Sequence, residues 1–124
     1  MVFEPVPMLE AVELMVAILD EVKPARVRQV AAERMFILAV NHRARELYEQ
    51  GGTASADVVS QPGAPFRALW QTVAAMGYVT ISDSGMVVRT DQDITLTKPE
   101  HACMAKDAVL LFKKGEAMKR AWPV

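Results

Sequence analysis

The spacing of apolar residues changes at Gly77, and this change limits the folds open to the chain. Before Gly77, apolar side chains recur at helical steps, which predicts a helix over residues 65–77. After it, residues 78–81 and 86–89 are rich in β-branched and aromatic side chains, and the turn-forming cluster at 82–85 separates them. This pattern predicts a β-hairpin. The chain is therefore expected to be α+β rather than all-helical or all-β.

Helical spacing also dominates both ends of the chain. An N-terminal segment, residues 1–22, contains an apolar stripe that predicts a helix from 7 to 22. Pro24 then makes a corner, because proline is tolerated at the start of a helix and not inside it. A long helix is predicted over 24–50, and its middle, residues 35–40, is apolar on every face, which is typical of a helix that passes through the core.

The segment after the hairpin predicts one more strand and one more helix. Residues 94–96 are expected to form a third short strand, so that the sheet region covers 78–97. Thr97 and Glu100 have the spacing of a capping box, which predicts a C-terminal helix over 99–120. The interpretation is a single, mostly helical domain over residues 1–124, in which a small β-hairpin or three-stranded sheet is flanked by N- and C-terminal helices.

Composition excludes several classes of protein. The 124 residues include one cysteine, Cys103, so an intramolecular disulfide framework and a multi-cysteine zinc site are excluded, and a reducing cytoplasm is the expected location. No apolar run reaches the roughly 18 residues that a membrane span requires, and the first residues lack a signal-peptide pattern. A net charge of −1 gives no overall basic signature for nucleic acid.

The sequence shows none of the common motifs for catalysis or phosphate binding. There is no glycine-rich phosphate loop, nucleophile elbow or pair of acids at catalytic spacing. His42, His101 and Cys103 do not have the spacing of a metal site, and Cys103 is expected to be a buried structural thiol. The prediction is a protein that is not an enzyme and that holds neither a cofactor nor a metal.

Residues 66–100 resemble the second half of a winged helix-turn-helix domain. In that family a recognition helix ends at a glycine before a hydrophobic strand, and a two-stranded wing closes on a Leu-Thr that starts the next helix. Here Gly77 and Leu96-Thr97 occupy those places. The resemblance implies that the 65–77 helix lies in the major groove of DNA and that the wing touches the backbone or the minor groove.

Carried onto this chain, the resemblance implies a set of contact residues. The groove-facing side of the helix would present Arg67, Trp70, Gln71 and Ala74. Gln71 would pair with adenine, while Arg67 would reach guanine or a phosphate. Arg89 is the one basic residue of the wing.

Acidic residues in the wing allow a different interpretation. Asp83, Asp91 and Asp93 are expected to cluster at the end of the hairpin, where they would repel phosphates. Trp70 beside Arg67 has the composition of a protein-binding hot spot, unless Trp70 instead folds under the hairpin. The first hypothesis is a small DNA-binding regulator. The alternative is a protein-interaction module, an adaptor or a DNA-mimicking inhibitor, that uses Trp70 and the acidic wing against a basic partner.

Charge is unevenly distributed along the chain. Residues 1–22 carry five acidic and no basic side chains, while residues 23–45 carry six basic and one acidic. The basic residues could form a face for an anionic partner. Alternatively, the acids of the first helix neutralise the bases of the second. The arginines of this region are Arg26, Arg28, Arg34, Arg43 and Arg45.

Excess apolar surface on the terminal helices predicts a homodimer. The side chains expected to bury a self-interface are Met8, Val12, Met15, Leu19, Val22, Leu110 and Leu111.

Overall fold

The computed structural model describes residues 8–23, 26–40 and 64–121. In chain order the elements are α1 (Met8–Val22), β1 (Val27–Arg28), α2 (Gln29–Val40), α3 (Ala64–Ala75), β2 (Val79–Ile81), β3 (Met86–Arg89) and α4 (Glu100–Ala121). The described part of the chain is mostly helical and carries a three-stranded antiparallel sheet. This confirms the α+β prediction.

The sheet contains a strand that the sequence did not indicate. The predicted hairpin is present, with Thr80 opposite Val88, and β1 pairs with the other edge of β3. The strand order is thus β1-β3-β2. The third strand predicted at 94–96 is wrong, since that segment is coil and Ile94 packs on the core. A strand as short as β1 has no periodicity of its own and exists because β3 has an edge to pair with.

Two glycines shape the chain around the hairpin. Gly77 and Gly85 both have φ of 84°, a backbone conformation that residues with a Cβ rarely adopt. At Gly77 the chain leaves α3, and the Tyr78 amide donates to the Val73 carbonyl, which confirms the predicted stop. At Gly85 the hairpin turns, and the Gly85 carbonyl accepts the Gln29 amide, which joins the turn to the start of α2.

Helix α1 is the centre of the core. Every residue from Ala11 to Leu19 is buried, because α2, α3 and α4 all pack against this helix. The predicted self-interface is therefore wrong where it used Val12, Met15 and Leu19, whose side chains lie inside the molecule. The homodimer itself stays a prediction, and its interface would need other side chains, such as the exposed Leu110.

Helix α2 confirms one prediction and corrects another. Residues 35–39 are all buried, as expected for a helix that crosses the core. The helix begins at Gln29 and not at residue 24, because residues 27 and 28 belong to β1. The rest of the predicted helix, from residue 41 to residue 50, lies outside the described residues.

Helix α4 packs on α1 and α2 along one face. That face carries His101, Ala105 and Ala108, which are buried. Cys103 points away from it and is exposed, so the prediction of a buried thiol is wrong. The reason is angular, since Cys103 lies about 200° around the helix from His101 at 3.6 residues per turn. None of the helices described combines the length and the apolarity needed to cross a membrane.

Candidate functional site

A surface cleft lies between α2, α3 and β2. Its volume is about 500 Å³. Buried aromatic rings form part of its lining, and amide, guanidinium and carboxylate side chains surround them. The lining residues are Gln29, Glu33, Phe66, Arg67, Trp70, Gln71, Ala74 and Ile81.

Helix α3 supplies one wall of the cleft. Arg67, Gln71 and Ala74 are exposed and follow one another at steps of four and three, so they share one side of the helix. The opposite side packs into the core through Leu69 and Val73. The structure thus brings together three of the four side chains that the resemblance placed on the contact side of this helix.

Trp70, the fourth of these residues, is buried and only 5% exposed. Its indole Nε1 donates a hydrogen bond of 2.8 Å to Glu33 Oε2 on α2. Of the two interpretations of Trp70, the accessible hot spot is therefore wrong and the inward orientation is the one observed. The ring of Phe66, which also lines the cleft, meets Phe36 edge to face at 5.7 Å.

Four lining residues were not predicted from the sequence to belong to the site: Gln29, Glu33, Phe66 and Ile81. Of these, Glu33 is the acceptor of the Trp70 indole. The one signal available was that a buried tryptophan usually finds an acceptor for its N–H. That rule does not say which acceptor, and Glu33 lies 37 residues away in the sequence.

Arg89 is engaged inside the molecule. Its side chain is 6% exposed, and Nε lies 2.9 Å from Asp20 Oδ1 on α1. Its Nη1 donates to the carbonyls of Tyr78 and Thr90, and the guanidinium lies 5.7 Å from the centre of the Tyr78 ring. Strand register explains this, since Arg89 pairs with the buried Val79 and shares the inner face of the sheet. The contact role predicted for Arg89 does not fit this position.

The three wing aspartates are exposed but do not form one cluster. Asp83 lies in the turn that precedes β3, whereas Asp91 and Asp93 follow the end of that strand. The two groups are thus separated by the length of β3, about 13 Å at 3.3 Å per residue. The predicted cluster at one end of the hairpin is wrong because strand β3 runs between its members.

Exposed cations lie in and just before β1, next to the cleft. Arg26 precedes the strand, and Arg28, its last residue, directly precedes Gln29, the first residue of α2. Within the described part of the chain, three of the four acids of α1 pair elsewhere: Glu10 with Lys98, Glu13 with His101, and Asp20 with Lys23 and Arg89. Neutralisation of Arg26 and Arg28 by α1 is therefore not observed among these residues. Arg43 and Arg45 lie outside the described residues.

No group of three or more His, Cys, Asp and Glu side chains converges within the described ranges in a way that could hold a metal ion. Comparisons with protein-family models, with curated proteins and with solved structures found no match for this chain. The assignment of a function therefore depends on the geometry of the cleft and its surroundings.

Proposed function

We propose that this chain is a small, non-enzymatic DNA-binding regulator of winged-helix type, which contacts duplex DNA through the exposed side of α3. The observation that carries the proposal is the side shared by Arg67, Gln71 and Ala74, next to the hairpin and to the cations in and just before β1. The alternating order of helices and short strands also supports a winged-helix scaffold.

The dimensions of α3 suit a major groove. Twelve residues give a helix about 18 Å long at 1.5 Å per residue, and the major groove, about 12 Å wide, admits one helix. Arg67 and Gln71 are the side-chain types that form paired hydrogen bonds with guanine and adenine, and the small Ala74 allows close approach or contact with a thymine methyl group.

Phosphate contacts would come from the edge of the sheet. Arg28 is exposed on β1 and Arg26 is exposed just before it, so their guanidinium groups can follow the DNA backbone while α3 reads the bases. Arg43 and Arg45 remain predicted phosphate contacts. Asp83 opposes this binding, since it lies in the turn whose Gly85 carbonyl is bonded to Gln29.

The alternative, a protein-interaction module, has lost two of its supports. It relied on an accessible Trp70, which is buried, and on an acidic cluster, whose members lie at opposite ends of β3. DNA binding uses side chains that are exposed and lie together.

The test is a salt-titrated binding assay with mixed-sequence duplex DNA. Affinity should fall as salt rises, because cations on the protein release counterions from the phosphates. Arg67→Ala should cost about 1–3 kcal/mol and relax sequence preference, whereas Arg28→Ala should weaken binding to every duplex alike and reduce the salt slope by about one.

Lys106→Ala provides the matched control. Lys106 is an exposed cation on α4, which packs on α1 and α2, and its removal should leave base preference unchanged. If the wild-type chain shows no salt-sensitive binding to any duplex at about 50 mM salt, the proposed function is wrong.

A further inference from the structure

Among the lining residues that the structure describes, the polar groups carry no excess of charge. The two charged lining residues are Arg67 and Glu33, which have opposite signs, and the other long polar side chains are the amides of Gln29 and Gln71. A surface that holds phosphates needs an excess of cations, and a carboxylate inside it would repel the backbone. Base edges are uncharged and present both donors and acceptors, so they match this lining better than phosphates do.

Within the described lining, Glu33 is the one side chain that only accepts hydrogen bonds, and its bond to Trp70 fixes the orientation of the carboxylate. Oε2 accepts the indole N–H of Trp70 at 2.8 Å, and Trp70 is itself buried. A carboxylate has about four lone-pair positions, of which this bond uses one. Glu33 is also only partly buried, so its carboxylate can accept a further hydrogen bond from a group in the cleft. Because the bond to Trp70 already holds the side chain in place, this second bond costs little conformational entropy.

We infer that Glu33 is a specificity-determining residue of this site, and that its carboxylate accepts a hydrogen bond from the exocyclic amino group of a cytosine. The inference rests on the proposed function. Guanine and thymine present acceptors in the major groove, which a carboxylate repels, and adenine places the acceptor N7 beside its amino group. Cytosine presents a donor alone, so it is the base that an acceptor-only side chain favours.

This assignment gives α2 a direct part in base recognition. Gln29 and Glu33 are four residues apart and face the same cleft as Arg67 and Gln71. The cleft then reads bases from two walls, with the guanidinium and one amide on α3 and the carboxylate and the other amide on α2.

The experiment selects duplexes from a pool with a randomised central segment, using the full chain and the Glu33→Gln variant. Glutamine keeps an oxygen that can accept the Trp70 N–H, so the fold should persist, but it adds a donor and removes the charge. The wild type should select cytosine at one position, with discrimination on the order of tenfold to a hundredfold, and Glu33→Gln should lose the preference at that position only.

A chemical probe then tests the same contact with the wild-type protein. N4-methylcytosine keeps its base pairing but replaces the N–H that faces the major groove with a methyl group. Placed at the selected position, it should weaken wild-type binding about tenfold and leave Glu33→Gln almost unaffected. Because this measurement can be made with the wild-type protein alone, it tests the contact even if Glu33→Gln does not fold.

Glu21→Gln is the matched control, since Glu21 is an exposed carboxylate on α1 that does not line this cleft. It should leave the selected sequence unchanged. An unaltered preference in folded Glu33→Gln, or wild-type binding that tolerates N4-methylcytosine at every selected cytosine, overturns the role of Glu33 while the proposed function stands. Failure of the wild type to bind any duplex overturns both.

Discussion

The Glu13 carboxylate joins α1 to the start of α4 inside the core. It accepts the Thr97 amide at 2.9 Å and the Thr97 hydroxyl at 3.1 Å, and its Oε2 lies 3.0 Å from His101 Nδ1. An ionised carboxylate can only accept, so His101 Nδ1 carries the proton of that bond. The predicted capping box is replaced, because the Thr97 hydroxyl donates to Glu13 and the first amides of the helix bond to the Lys98 and Pro99 carbonyls.

Glu13→Gln is predicted to destabilise the fold by about 1–3 kcal/mol. The neutral amide has one acceptor oxygen where the carboxylate has two, so the hydrogen bonds from Thr97 and His101 lose their charged acceptor, and those at Oε2 have to reverse direction. Urea denaturation measures the change. Glu10→Gln is the control: it removes the same charge from the same helix at an outer pair with Lys98, and it should alter stability little. Equal effects of the two substitutions would contradict this account.

The lowered pKa of Glu13 predicts how the stability of the fold depends on pH. The Thr97 amide is the main cause that holds the pKa of Glu13 below its ordinary value of 4.5, and burial opposes this while the Thr97 hydroxyl and His101 assist it. A lowered folded-state pKa stabilises the fold fully above the ordinary value, and this contribution is lost as pH falls through the lowered pKa. Urea titrations from pH 6 down to pH 3 should therefore show a fall in unfolding free energy that is shallower in Glu13→Gln, and identical slopes would argue against it.

Among the elements, the hairpin depends on Arg89 for its attachment to α1. The guanidinium pairs with Asp20 on that helix and donates to two backbone carbonyls of its own hairpin, so one side chain links the sheet to the central helix. The aromatic ring of Tyr78 covers it from one side.

Arg89→Met is predicted to cost about 1–3 kcal/mol, because it removes the side-chain donor to the Thr90 carbonyl, one of two donors to the Tyr78 carbonyl, and the nearer of the two cations that pair with Asp20. Thermal unfolding of the variant checks this. Arg28→Met, at an exposed position on the neighbouring sheet edge, should stay within about 0.5 kcal/mol. A stable Arg89→Met variant that had lost only DNA binding would instead make Arg89 a contact residue.

At the scale of the whole molecule, charge near the cleft decides how a polyanion approaches. Asp83 lies in the turn whose Gly85 carbonyl accepts the Gln29 amide, next to Arg28, whereas Asp91 and Asp93 follow the far end of β3. The aspartates therefore differ in their distance from the proposed interface even though all three are exposed.

Replacing Asp83, Asp91 and Asp93 together by Asn is predicted to leave the melting temperature within a few degrees, since exposed changes of this kind usually stay within about 0.5 kcal/mol each. DNA affinity at low salt should rise. Most of the gain should come from Asp83→Asn alone, up to about fivefold, because an exposed charge pair contributes about 0–1 kcal/mol. DNA affinity measured for Asp83→Asn and for the Asp91/Asp93 double Asn variant separates the effects of the charges at the two ends of β3. An equal gain in affinity from both variants would contradict this geometry.

Local sequence determined the elements whose signals lie within a few residues. Helical spacing placed α1, α3 and the buried stretch of α2, and the change of spacing at Gly77 predicted the hairpin, since periodicity and positive φ are properties of neighbouring residues. For the same reason the exposed side of α3 with Arg67 and Gln71 could be predicted.

Only the tertiary structure decided the contacts that join distant parts of the chain. The pairing of β1 with β3, the bond from Trp70 to Glu33 and the burial of Arg89 against Asp20 each depend on which elements come to lie together. A tryptophan, an arginine or a two-residue strand is compatible with either surface or core until its partner is present. Burial of a polar group is favourable only when that partner satisfies it, so the core, and not local spacing, decided these positions.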